Sequence, residues 1–94
     1  MREPRSLTAE EYAAAQPYAL VIEWSDVDGV FIATAPDIRG CRTHGATRDE
    51  AARMGEEAIA MVLASRASHG IAPPEPRFTA LDDGVLKRPA LRSA

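Results

Sequence analysis

The sequence predicts an α+β domain: a three-stranded antiparallel sheet packed on one long helix, in the order β-β-β-α-β, with a short helix ahead of it. Three observations carry this. Two runs of strand-forming residues, Tyr18–Trp24 and Val30–Ala35, flank the turn formers S-D-V-D-G. A Pro36-Asp37…Gly40 bend then leads without slack into a third short run, Cys41–His44. Finally, Thr47 and Glu50 open a helical pattern that continues to Gly70.

The elements follow in order. Thr8 and Glu11 have capping-box spacing, so a short helix is expected from there through Ala15, with Pro17 forcing Gln16 out of helical geometry. So brief a helix is marginal alone and must dock on something. In the first strand Tyr18, Leu20, Ile22 and Trp24 share one face, and Ala19, Val21 and Glu23 the other. Gly29 supplies a positive φ for the turn, and Pro36 ends the return strand by removing a ladder donor. Gly45 closes the third strand. A second capping box, Thr47 with Glu50, starts a helix over Arg48–Ser68, with Gly70 as its C′ residue. Pro73, Pro74 and Pro76 impose a stiff, extended exit. Phe78–Leu81 is a candidate last edge strand, Asp82-Asp83-Gly84 a turn, and the stretch with Lys87, Arg88 and Arg92 a frayed tail. The domain is therefore expected over 18–81, with an arm at 1–17 and a tail at 82–94.

On the long helix Met54, Gly55, Ala58, Met61 and Val62 form one stripe, and Ala52, Ile59 and Leu63 an adjoining one. Together they are wider than the roughly 100° stripe that one sheet face requires. Either the helix is sunk between the sheet and the N-terminal arm, or part of the arc is an interface with another subunit or partner.

At 94 residues there is room for one modest core. A net charge of −3 argues against a surface built to neutralise nucleic-acid phosphates. The lone Cys41 excludes an internal disulfide and a multi-cysteine metal site, and fits a reducing compartment. No apolar run reaches the roughly 20 residues of a membrane span. The opening M-R-E-P-R has no apolar stretch, so no secretory leader is expected and the chain is read as cytoplasmic.

Asp26 and Asp28 sit in a turn, Asp37 at a bend, and Asp49 and Glu50 in a helix first turn, so local backbone needs account for each. D-V-D-G opens like a calcium loop, but the remainder of that pattern is missing. Cys41 and His44 stand three apart on a strand, on opposite faces, which prevents a thiol–imidazole pair. His69 belongs at the helix C-terminus, where a cation complements the dipole. No glycine-rich phosphate loop occurs. Arg39, Arg42, Arg48 and Arg53 gather around the central segment: a solvated rim is the plainer reading, pairing with an acidic or phosphate-bearing partner the sharper one. Neither catalytic residues, nor a metal site, nor a cofactor is expected.

The run Tyr18–Ala51 resembles the HicB-type antitoxin domain. The resemblance rests on Pro36, Asp37, Gly40 and Cys41; on Thr43, Gly45, Thr47, Glu50 and Ala51; and on the prolines 73, 74 and 76. It implies a partial RNase H-like fold and the antitoxin role in a type II toxin–antitoxin pair, binding and neutralising a small HicA-type mRNA interferase. Arg39, Arg42 and His44 are the expected partner contacts; Pro36, Asp37, Gly40, Cys41, Gly45, Thr47 and Glu50 are expected to build the fold. A homo-oligomer, dimer or tetramer, is expected, stabilised by the arm before Tyr18. Many such proteins carry a C-terminal helix-turn-helix or ribbon-helix-helix module. The 18 residues after Pro76 hold no helix pair, so DNA binding is not expected. The remaining readings are an oligomeric module without a toxin and a metal-dependent nuclease, which would need Asp26, Asp28 and Asp37 to converge.

Overall fold

A computed structural model describes residues 7–78. The elements run α1 (Ala9–Ala15), β1 (Val21–Ser25), β2 (Val30–Thr34), β3 (Arg42–Gly45) and α2 (Arg48–Ser68). The three strands form one antiparallel sheet in the order β1-β2-β3. The α+β class, the sheet and both helices are as expected. Phe78 lies in no strand, and residues 79–81 of the expected edge strand, the turn at 82–84 and the tail bearing Lys87, Arg88 and Arg92 fall outside the described residues.

Several boundaries differ from expectation, for hydrogen-bonding reasons. The first strand begins at Val21, not Tyr18, because the Tyr18 amide donates to the Ala15 carbonyl in the turn leaving α1 (3.1 Å). Gln16 keeps right-handed helical angles despite preceding Pro17: its amide is held by the Ala13 carbonyl, a local bond that offsets the steric preference. The second strand stops one residue early and the third starts one residue late. Ala35 and Cys41 pair with each other across the bend, the Ala35 amide donating to the Cys41 carbonyl at 3.0 Å.

Both helix starts read correctly in outline. At α1 the capping box is complete, Thr8 Oγ1 accepting from the Glu11 amide and Glu11 from the Thr8 amide. At α2 only half of it forms. Thr47 Oγ1 accepts from the Glu50 amide (3.0 Å), but the Glu50 carboxylate reaches one residue further, to the Ala46 amide (2.6 Å). The other end of α2 is a Schellman closure: the Ile71 amide returns to the Arg66 carbonyl and that of Gly70 (φ 69°) to Ala67.

The core lies between sheet and helices. Ala15, Ala35, Ile38, Cys41, Ile59 and Ala60 form one buried cluster, with Leu7, Tyr18, Leu20, Ala58, Val62 and Leu63 packed against it. Ala15 places α1 in that cluster, and Ala14 lines a groove with Ala60, Leu63 and Ala64. Ile59 and Leu63 of the second apolar stripe of α2 thus face the N-terminal arm of the same chain. Met61, expected in the first stripe, is 42% exposed. Ala51, outside both, is fully buried because it presses on β3.

Candidate functional site

The segment Ala35–Cys41 is a closed loop. Besides the Ala35–Cys41 bond, the Ile38 amide donates to the Ala35 carbonyl (3.1 Å) and the Cys41 amide to the Ile38 carbonyl (3.0 Å). Ile38 and Cys41 plug it into the core, leaving Pro36, Arg39 and Gly40 outside. Gly40 sits at φ 77°, where a side chain would be strained, so the turn out of the bend needs glycine. Burial pushes the Cys41 thiol above its ordinary range, which makes it a core residue and a poor nucleophile.

Asp37 departs from the local role expected of it. Its Oδ2 accepts the amides of Arg77 (2.7 Å) and Phe78 (3.1 Å), forty residues downstream. Two further ties hold the same exit segment: the Tyr18 hydroxyl donates to the Pro74 carbonyl, and Arg66 Nη1 to that of Ala72 (3.1 Å). The prolines stiffen the segment, and Asp37 fixes where it ends. Pro36, Asp37, Pro74, Glu75 and Arg77 surround an open hollow of about 340 Å³.

The two carboxylates of the hairpin turn are engaged locally. Asp26 accepts from the Trp24 indole (2.7 Å), and Ser25 Oγ bonds both the Asp28 amide and, at 3.4 Å, its carboxylate. Asp26 and Asp28 lie at the start of β2 and Asp37 beyond its end, so the three acids of the nuclease reading do not converge. His44 is exposed and Cys41 buried, on opposite sides of the sheet. His69 caps α2, its Nδ1 2.8 Å from the Ser65 carbonyl.

The three expected contact residues do not form one patch. Arg39 is exposed on the bend. Arg42 and His44 stand together on the sheet face turned away from α2. Sequence reasoning also missed an array at the hairpin end: Trp24 meets Phe31 edge-on at 5.1 Å, and the Arg48 guanidinium stacks 4.8 Å from the Phe31 centroid. Its aromatic half was findable, since residues equally far from the turn centre pair across a hairpin. Among the described residues no His, Cys, Asp and Glu side chains gather into a metal-binding group. No helix there is long and apolar enough to cross a membrane.

Such an arrangement presents surfaces. The family model for the HicB_like antitoxin of bacterial toxin-antitoxin system matches residues 18–90. The chain belongs to this family. No curated protein and no solved structure matches it. In this HicB-like antitoxin the Pro36–Cys41 motif builds the plugged bend, and the Gly45–Ala51 motif builds the contact between β3 and α2.

Proposed function

We propose that this HicB-like chain neutralises a HicA-type mRNA interferase by holding it in a stable complex in the cytoplasm, acting by binding and not by catalysis. Family membership supports the toxin–antitoxin role. The observation that carries the binding reading is the bend 35–41, closed by its own backbone bonds, plugged by Ile38 and Cys41 and tied to the exit segment by Asp37. A surface so fixed loses little conformational entropy on association. Arg39, displayed on its outside, is the cation assigned to the toxin; Arg42 and His44 belong to a different face. In this reading the domain is a partial RNase H-like scaffold that assembles as a homo-oligomer, and Glu11, Asp26, Asp28, Asp37 and Glu50 serve turns, caps and the exit tie.

The test is co-expression of the full chain with the small protein encoded beside it. A complex of fixed stoichiometry that suppresses mRNA cleavage is expected, with Arg39→Glu weakening it about tenfold or more through a reversed contact charge. A neighbour that never co-purifies, or whose nuclease activity the chain leaves untouched, sinks the proposal.

A further inference from the structure

One face of the sheet carries α2; none of the described helices packs on the other. The register fixes what that bare face shows. Glu23 pairs with Ile32 and Ile32 with His44, giving an acid–apolar–base row across the three strands. The next row on this face is Val21, Thr34 and Arg42, and Val30 stands beyond Ile32 toward the hairpin turn. Within the strands acid therefore lies on the β1 edge, bases on the β3 edge, and Val30 and Ile32 along the centre; Asp28 of the hairpin turn lines a hollow with Val30, Ile32 and His44 at one end of the face.

That layout is self-complementary. A two-fold axis running along β2 turns a second copy face to face with the first and exchanges the outer strands, so β1 of each copy lies over β3 of the other. Ile32 then meets the partner's Ile32, and Glu23 faces the partner's His44, with the partner's Arg42 two residues along. Sheets packed this way sit about 10 Å apart with strands within about 30° of parallel, a gap that these side chains bridge. A two-fold perpendicular to the strands in the same plane would set Glu23 against the partner's Glu23 instead. The charge pattern selects between the two.

We propose that the bare sheet face is a homodimer interface, with its two-fold along β2 and the Glu23-to-His44 and Glu23-to-Arg42 pairs formed twice around the paired Ile32 side chains. This rests on the self-association proposed above and gives it a geometry; it does not require a toxin. Three short strands cover only roughly 14 by 17 Å in plan, small beside the ~800 Å² per partner of a standard interface. The dimer should therefore be weak and concentration-dependent. Arg42 and His44 become contacts between copies, and the toxin is left the bend with Arg39.

The experiment is sedimentation of the full-length chain across the micromolar range, with charge exchange. Glu23→Arg and His44→Glu should each raise the dimer dissociation constant about tenfold, because like charges then face each other. The double variant should recover part of the loss, to within about threefold of the original, since the exchange recreates the 23-to-44 pair twice and leaves only the contact with Arg42 reversed. Ile32→Asp, which sets two carboxylates together on the axis, should leave a monomer whose circular dichroism matches that of the parent. A chain that stays monomeric throughout removes both this interface and the self-association proposal, and leaves the antitoxin reading standing. An oligomer indifferent to all these changes removes this interface alone. A parent chain that is already monomeric and loses its toxin on Ile32→Asp gives the face to the toxin and overturns the dimer.

Discussion

The two faces of this sheet differ in what fixes them. Toward α2 stand Ala33, Ala35 and Gly45, all but completely buried; away from it stand Val21, Ile32, Glu23, Arg42 and His44, with Val21 44% exposed. Ile22, Trp24 and Phe31 also stand on the covered side, on β1 and at the hairpin end, but the positions sealed beneath the helix are small. Those sealed positions are small because α2 lies so near the strands there, and the nearness comes from missing atoms: a Cβ on Gly45 would stand 2.4 Å from the Ala51 nitrogen, and one on Gly55 2.8 Å from both Leu20 methyls. Dense packing of backbone and methyl groups supplies the dispersion contacts that bulk would otherwise provide. One face is thus specified by fit and the other by pattern, and substitutions should separate them.

The largest effect is expected at Gly45→Ala. Its neighbours within 3 Å are all backbone atoms of Glu50 and Ala51, which cannot rotate aside, so the first turn of α2 must lift off β3. Overpacking ordinarily costs about 1–3 kcal/mol; against fixed backbone the loss should be at or above about 3 kcal/mol, read as a lowered urea midpoint with intact mass. Gly55→Ala should be much milder. Its close neighbours are the Leu20 methyls, the far end of a flexible side chain, and alanine recovers up to about 1 kcal/mol of helix propensity. A net loss of about 1 kcal/mol is expected. If the two glycines prove equally costly, nearness to backbone is not what distinguishes them.

Most of this was legible in sequence, because the decisive signals are local. Thr8, Thr47, Gly29 and Gly70 mark starts and stops through bonds and angles involving near neighbours, and both helices and the hairpin follow from them. What was not legible depends on distance. Asp37 had a sufficient local explanation at its bend, and nothing in its neighbourhood announces the amides of Arg77 and Phe78. Arg39, Arg42 and His44 look like one cluster along the chain, yet the loop between Ala35 and Cys41 ends before Arg42 and leaves Arg39 off the sheet face. The burial of Ala51 and the exposure of Met61 follow from how α2 crosses the sheet, leaning most on β3 and least on β1, which helical periodicity does not encode.

The covered face also carries a pH signature. Desolvation favours the neutral Cys41 thiol in the folded chain, so its folded pKa lies above its unfolded one. The contribution is complete below the ordinary thiol range and is lost as pH rises through the raised value, because the unfolded chain gives up its proton first. Stability should decline on the alkaline side, and Cys41→Ala should flatten that part of the profile relative to the parent. Denaturant midpoints taken at intervals from neutral to alkaline pH check it; parallel profiles for the two chains would contradict it.

The smallest effect is expected at Val21→Thr, on the bare face. Threonine keeps the β-branch that suits a strand, and at 44% exposure its hydroxyl finds water without displacing a neighbour, so stability should stay within about 0.5 kcal/mol of the parent. Measured at low micromolar concentration, the value reports the single chain and not an assembly. The informative partner is Ala33→Val, one strand over and on the other face. Ala33 is 1% exposed and lies 3.3 Å from the position a Cβ on Gly55 would take, so two added methyl groups have nowhere to go, and a loss of about 1–3 kcal/mol is expected. Valine is the better strand former by composition statistics. A stabilised Ala33→Val would mean that strand propensity outweighs fit on the covered face, and the contrast between the two faces would then be one of exposure alone.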